Sequence, residues 1–110
     1  MDYEKKLMPE YIEFIRNRMK RKEGRVYGSF WNEDLLHKTI RFYEDGNESN
    51  YVDVRIVSYS AYPNFTVMLK NNDFLDFIPE AEKIEDALAA YIAIYGVSSA
   101  NVISLEIEII

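Results

Sequence analysis

The chain has 110 residues, 48% hydrophobic and 29% charged, a globular composition large enough for one core and too small for two. It contains no cysteine, which excludes disulfides, thiolate metal sites and cysteine nucleophiles. The formal charge of −6 is unevenly spread: residues 1–25 hold eight of the thirteen Lys/Arg against five acids, while residues 73–110 hold one base, Lys83, against eight acids.

Met8, Tyr11, Ile12, Ile15 and Met19 repeat at helical spacing, with Leu7 and Phe14 widening the stripe. Pro9 suits a first turn and Gly24 a C-terminal cap, so the pattern predicts a helix from about Pro9 to Glu23. Residues 2–8 are then a first turn or a tail. Arg25 to Trp31 reads as a short strand with Gly28 at a bulge, and Asn32 as the cap of one helical turn ending at His37. Lys38–Glu44 and Tyr51–Ser60 both alternate, around the turn cluster Asp45–Asn50, and predict an antiparallel hairpin. On this reading Tyr51, Asp53, Arg55 and Tyr59 share its wet face.

Ala61–Asn64 turns the chain. Phe65–Lys70 reads as a third strand, and Phe74–Ile78 as a short edge strand. Pro79 opens a helix with the stripe Ile84, Leu88, Tyr91, Ile92 and Tyr95, closed by Gly96. After a loop over 98–101, Val102–Ile110 alternates Ile103, Leu105, Ile107 and Ile109 against Ser104, Glu106 and Glu108. The order of elements predicts an α+β domain spanning 1–110: a mostly antiparallel sheet of four or five strands with two helices packed on one face.

Asp45-x-Asn47-x-Ser49 has the spacing that opens a calcium loop, but Asn50 and Ile56 stand where glycine and a bidentate acid are needed. Glu82, Glu85 and Asp86 share a helix side, yet the dinuclear carboxylate sites that use this spacing need histidine partners, and His37 is the single histidine. Glu106 and Glu108 lie about 7 Å apart along a strand, a distance at which two carboxylates act on a glycoside only if a cleft holds them. No serine-nucleophile, phosphate-loop or dinucleotide motif occurs. The expectation is a protein that is not an enzyme, with no cofactor, no metal and no catalytic residues.

Two binding readings follow. Tyrosines at interfaces and acids at regular intervals suit a basic partner, and such acids imitate a row of phosphates. Tyr51, Asp53, Tyr59, Glu82, Glu85, Asp86, Glu106 and Glu108 would then form the surface of an inhibitor that blocks a nuclease or other nucleic-acid-binding machine. A short, acidic, tyrosine-rich chain of this kind resembles phage anti-defence and toxin-immunity proteins in composition alone. The alternative is nucleic-acid binding by the basic end of the first helix, through Arg16, Arg18, Lys20, Arg21, Lys22 and Arg25, with Tyr27, Phe30 and Trp31 stacking on bases. An exposed Val102–Ile110 edge would pair two copies across a two-fold axis.

Met1-Asp2-Tyr3-Glu4 lacks the basic and apolar regions of a secretory leader, and the apolar run Ala87 to Val97 is about half a membrane crossing. The expected place is the cytoplasm, or a host cytoplasm if the protein is virus- or plasmid-encoded.

Overall fold

A computed structural model describes residues 1–96 and 101–110. The expected loop over 98–101 lies, but for Asn101, outside the described residues. Strand β1 (Tyr3–Lys6) leads into helix α1 (Pro9–Arg16), followed by β2 (Lys22–Val26), the hairpin β3 (Thr39–Glu44) and β4 (Asn47–Tyr62), helices α2 (Phe65–Lys70) and α3 (Ile84–Tyr95), and β5 (Val102–Ile109). The five strands form one sheet in the order β1-β3-β4-β5-β2, with β1 parallel to β3 and every other pair antiparallel.

The α+β class, the hairpin, the second long helix and the final strand agree with the pattern of the sequence. The first helix is half its predicted length. It stops at Asn17, and Arg18 takes the left-handed conformation, φ 62°. Lys22–Val26 then pairs with β5 instead of continuing the helix. Helix propensity in this charged stretch is a weak preference, and sheet pairing along the most apolar strand of the chain overrides it. Gly24 is therefore a strand residue rather than a helix cap. Residues 3–6 are an edge strand and not a tail; the Asp2 carboxylate accepts hydrogen bonds from the Thr39 N–H and hydroxyl at 2.9 and 3.0 Å.

Phe65–Lys70 is helical, not a third meander strand. The Asn64 side chain caps it by accepting from the Val67 N–H at 2.8 Å, and Phe65, Met68 and Leu69 bury one side. Six residues are too few for alternation to be told from a helical period. Phe74–Asp76 is a 3-10 turn held by Asp73, whose carboxylate accepts from the Leu75 N–H, and not an edge strand. The α3 helix opens at Ile84 rather than at Pro79, where the Asp86 carboxylate accepts from the N–H groups of Glu82 and Lys83 at 3.2 Å.

Adjacent strand residues point to opposite faces. Ile103 packs in one buried cluster with Ile12 and Ile15 of α1 and with Ile40, Phe42, Val54 and Ile56. Its neighbour Val102 packs in another, with Phe65, Met68, Leu69, Ala87 and Tyr91 of α2 and α3. Two helices do share a face, but they are α2 and α3, and α1 takes the other. β5 lies between β4 and β2, so it has no open edge, and pairing of two copies along that strand is ruled out.

Candidate functional site

The residues expected on one tyrosine-rich acidic surface are dispersed. β4 carries an extra residue at Val57, where its register on β5 shifts between Ile56 and Ser58. A bulge exchanges the faces of everything beyond it. Tyr59 therefore turns away from Tyr51 and packs against the α1 core. Tyr51 stays outside, with the Arg41 guanidinium 3.9 Å from its ring centre, and Asp53 is held by that same guanidinium at 2.8 and 2.9 Å. This hydrogen-bonded pairing draws the Asp53 pKa below its ordinary value.

Glu106 and Glu108 are exposed, but each faces a base across the ladder: Glu106 stands opposite Lys22, and Glu108 opposite Arg55. The Arg18 and Arg21 side chains line the same hollow as both acids, of about 420 Å³. The row is thus charge-balanced on the open face of the sheet. Asp86 spends its carboxylate on the start of α3, leaving Glu82 and Glu85 exposed beside it. Among the described residues no three His, Asp or Glu side chains gather closely enough to hold a metal ion.

The basic run does not form one patch either. Arg16 donates to Asn50 and to the Tyr51 carbonyl, and Lys22 to Asn72. Phe30 and Trp31 pack on the core, linking Tyr3 of β1 to Phe42 through ring contacts at 5.0, 4.9 and 6.5 Å. Lys20 is 3% exposed; its ammonium donates to the carbonyls of Lys22 and Phe77 at 2.9 and 2.7 Å, and burial lowers its pKa.

Lys20 belongs to a different arrangement. A pocket of about 370 Å³ runs beside β2 and is walled by the β1–α1 junction and by α3. Among the described residues β2 pairs with β5 alone, so its outer edge is free. At one end of the strand the Arg21 C=O accepts from the Ile107 N–H of β5, while the Arg21 N–H goes to the Asp76 carbonyl; at the other end the Tyr27 N–H donates to the carbonyl of Asn101, just before β5. The odd-numbered residues therefore face β5, and Lys22, Gly24 and Val26 direct their N–H and C=O outward. Lys22 O is taken by Lys20. The outward groups of Gly24 open on the pocket without a bond from the described residues.

Gly24 is required here. A Cβ would lie 2.6 Å from the Tyr91 hydroxyl and 2.8 Å from Met68 Cε. Beside it, Glu23 is 5% exposed and sits between two cations, with Arg25 Nε 3.2 Å from Oε1 and Lys20 Nζ 3.8 Å from Oε2. The Arg25 guanidinium lies 4.3 Å from the centre of the Trp31 ring. Burial pulls the Arg25 pKa down, but Glu23 and Tyr95 outweigh it and raise it. At the far wall the Tyr11 hydroxyl donates to Glu80 at 2.7 Å.

Two oxygens are left over. Glu23 Oε2 and the Tyr91 hydroxyl are shielded from solvent and make no hydrogen bond among the described residues. Each such group costs about 1–3 kcal/mol. Burial, reinforced by the Glu23 charge, holds the Tyr91 pKa well above its ordinary value. At the mouth, Met8 and Ile94 are 57% and 66% exposed, an apolar rim over a polar floor. The sequence did carry a trace of this site: a lone glycine inside a charged run, and Ile94 outside the apolar stripe of its helix.

No protein-family model matches the chain, and no curated protein sequence matches it. Among solved structures it is similar to the crystal structure of hypothetical protein PH0355, with a TM-score of 0.84 and 27% identity over the whole of both chains. It is also similar to the solution NMR structure of protein PF0455 from Pyrococcus furiosus, with a TM-score of 0.76 and 25% identity over 100% of this chain and 98% of that one. Both likenesses bear on the fold, a five-stranded mixed sheet with three helices. No helix among the described residues is long and apolar enough to cross a membrane.

Proposed function

We propose that the protein is a non-enzymatic binding protein whose site is the pocket along the free edge of β2, and that it holds a small, largely apolar molecule there. One observation carries the reading. Glu23 Oε2 and the Tyr91 hydroxyl are buried without partners in the wall of an open pocket. Buried polar groups are ordinarily satisfied, and exceptions concentrate where a water, an ion or a ligand belongs. A pocket of this size is at the small end of the range for ligand sites, roughly 300–1,000 Å³. The test is a fragment screen by ligand-observed NMR, with binders mapped on the amide spectrum of the protein. Binders that shift Gly24 and Ala90 support the site; binders that consistently map elsewhere remove it.

A second reading, an inhibitor that docks a basic protein, is favoured by Glu82 and Glu85. They are exposed at the N-terminal end of α3 and in no ion pair among the described residues. Charge reversal by Glu82→Lys with Glu85→Lys should then weaken capture of a basic partner such as a nuclease at least ten-fold, and unchanged capture ends it. The nucleic-acid reading draws less from the geometry, because Lys20 is buried and Arg16, Lys22 and Arg25 are already engaged. It predicts steeply salt-dependent binding of DNA or RNA that Arg18→Glu with Arg21→Glu removes.

A further inference from the structure

We propose that this pocket selects a neutral head group that both gives and takes a hydrogen bond, a hydroxyl or a carboxamide, on an apolar body. The inference rests on reading the pocket as a ligand site and concerns what that site prefers.

The inner end sets the requirement. Glu23, held between Lys20 and Arg25, is a carboxylate, and its spare Oε2 can only accept. The ligand must therefore bring a hydrogen. The Tyr91 hydroxyl has a hydrogen to give, and the outward edge of Gly24 adds one N–H and one C=O. The ligand must therefore also bring a lone pair. A carboxylate offers no hydrogen and meets the charge of Glu23 directly. An alkylammonium offers no lone pair and meets Lys20 and Arg25. A hydroxyl or a carboxamide carries both a hydrogen and a lone pair without adding a charge, so it can answer whichever of these groups it reaches.

The outer end sets the body. Leu7, Met8, Ala90 and Ile94 make the rim apolar. Since no solvent touches the two oxygens, a head group reaches them only when a lining side chain turns aside. Met8 and Ile94 are the most exposed apolar side chains of the lining, and Met8 is the unbranched one. A short alkyl or aryl chain would cover Met8 and Ile94 as it threads its head group to Glu23.

Four probes of matched chain length separate the alternatives: 1-hexanol, hexanamide, hexanoate and hexylamine, titrated at pH 7. The readouts are the amide signals of Gly24 and Ala90 and the fluorescence of Trp31, on which Arg25 is seated. Hexanol and hexanamide should saturate these signals, with hexanoate and hexylamine at least ten-fold weaker. Tyr91→Phe, which deletes only the unpartnered hydroxyl, should weaken hexanol about ten-fold while leaving the amide spectrum folded. Glu23→Gln, which gains an N–H, should shift the preference towards hexanoate.

Equal binding of all four probes at these signals overturns the head-group inference and leaves the pocket as a site. If none of the four binds while screened fragments do occupy the pocket, the inference fails alone. If fragments too map elsewhere, the oxygens are satisfied by bound water only and both readings fail.

Discussion

Two polar regions of this molecule are built from the same residue types and reach opposite ends. On the open face of the sheet, Arg41 pairs with Asp53, while Arg55 stands opposite Glu108 and Lys22 opposite Glu106 in the ladder, all within reach of water. Along the free edge of β2, Lys20, Glu23 and Tyr91 are withdrawn from water, and there the donors and acceptors do not balance. Exposed charges can be paired cheaply and are worth little, whereas buried ones are costly wherever a partner is missing. Charge alone does not mark a site; an unmet polar demand in a buried place does.

The contrast can be broken most severely at Lys20. Lys20→Met removes the ammonium that two carbonyls and Glu23 surround, and should cost about 3–5 kcal/mol in urea unfolding, because a buried charge loses its partner. A cost below 1 kcal/mol would mean that water reaches this corner. Gly24→Ala comes next: its methyl meets Tyr91 and Met68, for an expected loss of about 1–3 kcal/mol. Gly28→Ala, with nothing within 4 Å, should change stability by less than about 0.5 kcal/mol.

Tyr91→Phe sharpens the comparison in the other direction. It deletes a shielded hydroxyl without a partner, so stability should hold or rise by up to about 1–2 kcal/mol, even as ligand binding falls. A loss of that size would show the hydroxyl to be satisfied. On the open face the effect is also small: Arg41→Ala should cost about 1 kcal/mol or less. Its signature is in pH. The Asp53 pKa is lowered in the folded state, so its contribution is fully present above the unfolded pKa of about 3.9 and is lost as pH falls through the folded value. Carboxyl NMR titration of Arg41→Ala should bring the Asp53 midpoint back up, and an unmoved midpoint would remove the pairing.

How much of this the sequence disclosed depended on how far each element's cause lay along the chain. The β3–β4 hairpin, α3 and β5 were legible because their periods run long enough to be unambiguous, with local turns and caps at Gly46 and Gly96. β2 was legible only at Arg25 and Val26, the start of a strand expected to run to Trp31 that in fact ends at Val26, since Lys-Glu-Gly before them looks like a solvated helix end with its cap. What makes them a strand is the edge of β5, about 80 residues away, where Glu23 pairs with Leu105. The phase of β4 was lost to one extra residue at Val57, which no periodicity announces, and with it the facing of Tyr59. The pocket fared worst among the candidate sites, because Met8, Glu23, Gly24 and Tyr91 come from three segments that only the tertiary fold joins.

The place of β5 in the sheet also bears on how the chain assembles. It is the last strand in the sequence and yet separates β4 from β2. During synthesis the β3–β4 hairpin can close as soon as it emerges, whereas β2 must wait through the whole of α2 and α3 for the strand that will hold it. Until then Lys20 and Glu23 stay hydrated, and the wall that carries Gly24 does not exist. The pocket thus depends on β5: a nascent chain short of it would already contain every lining residue, yet nothing would hold β2 in place beside them.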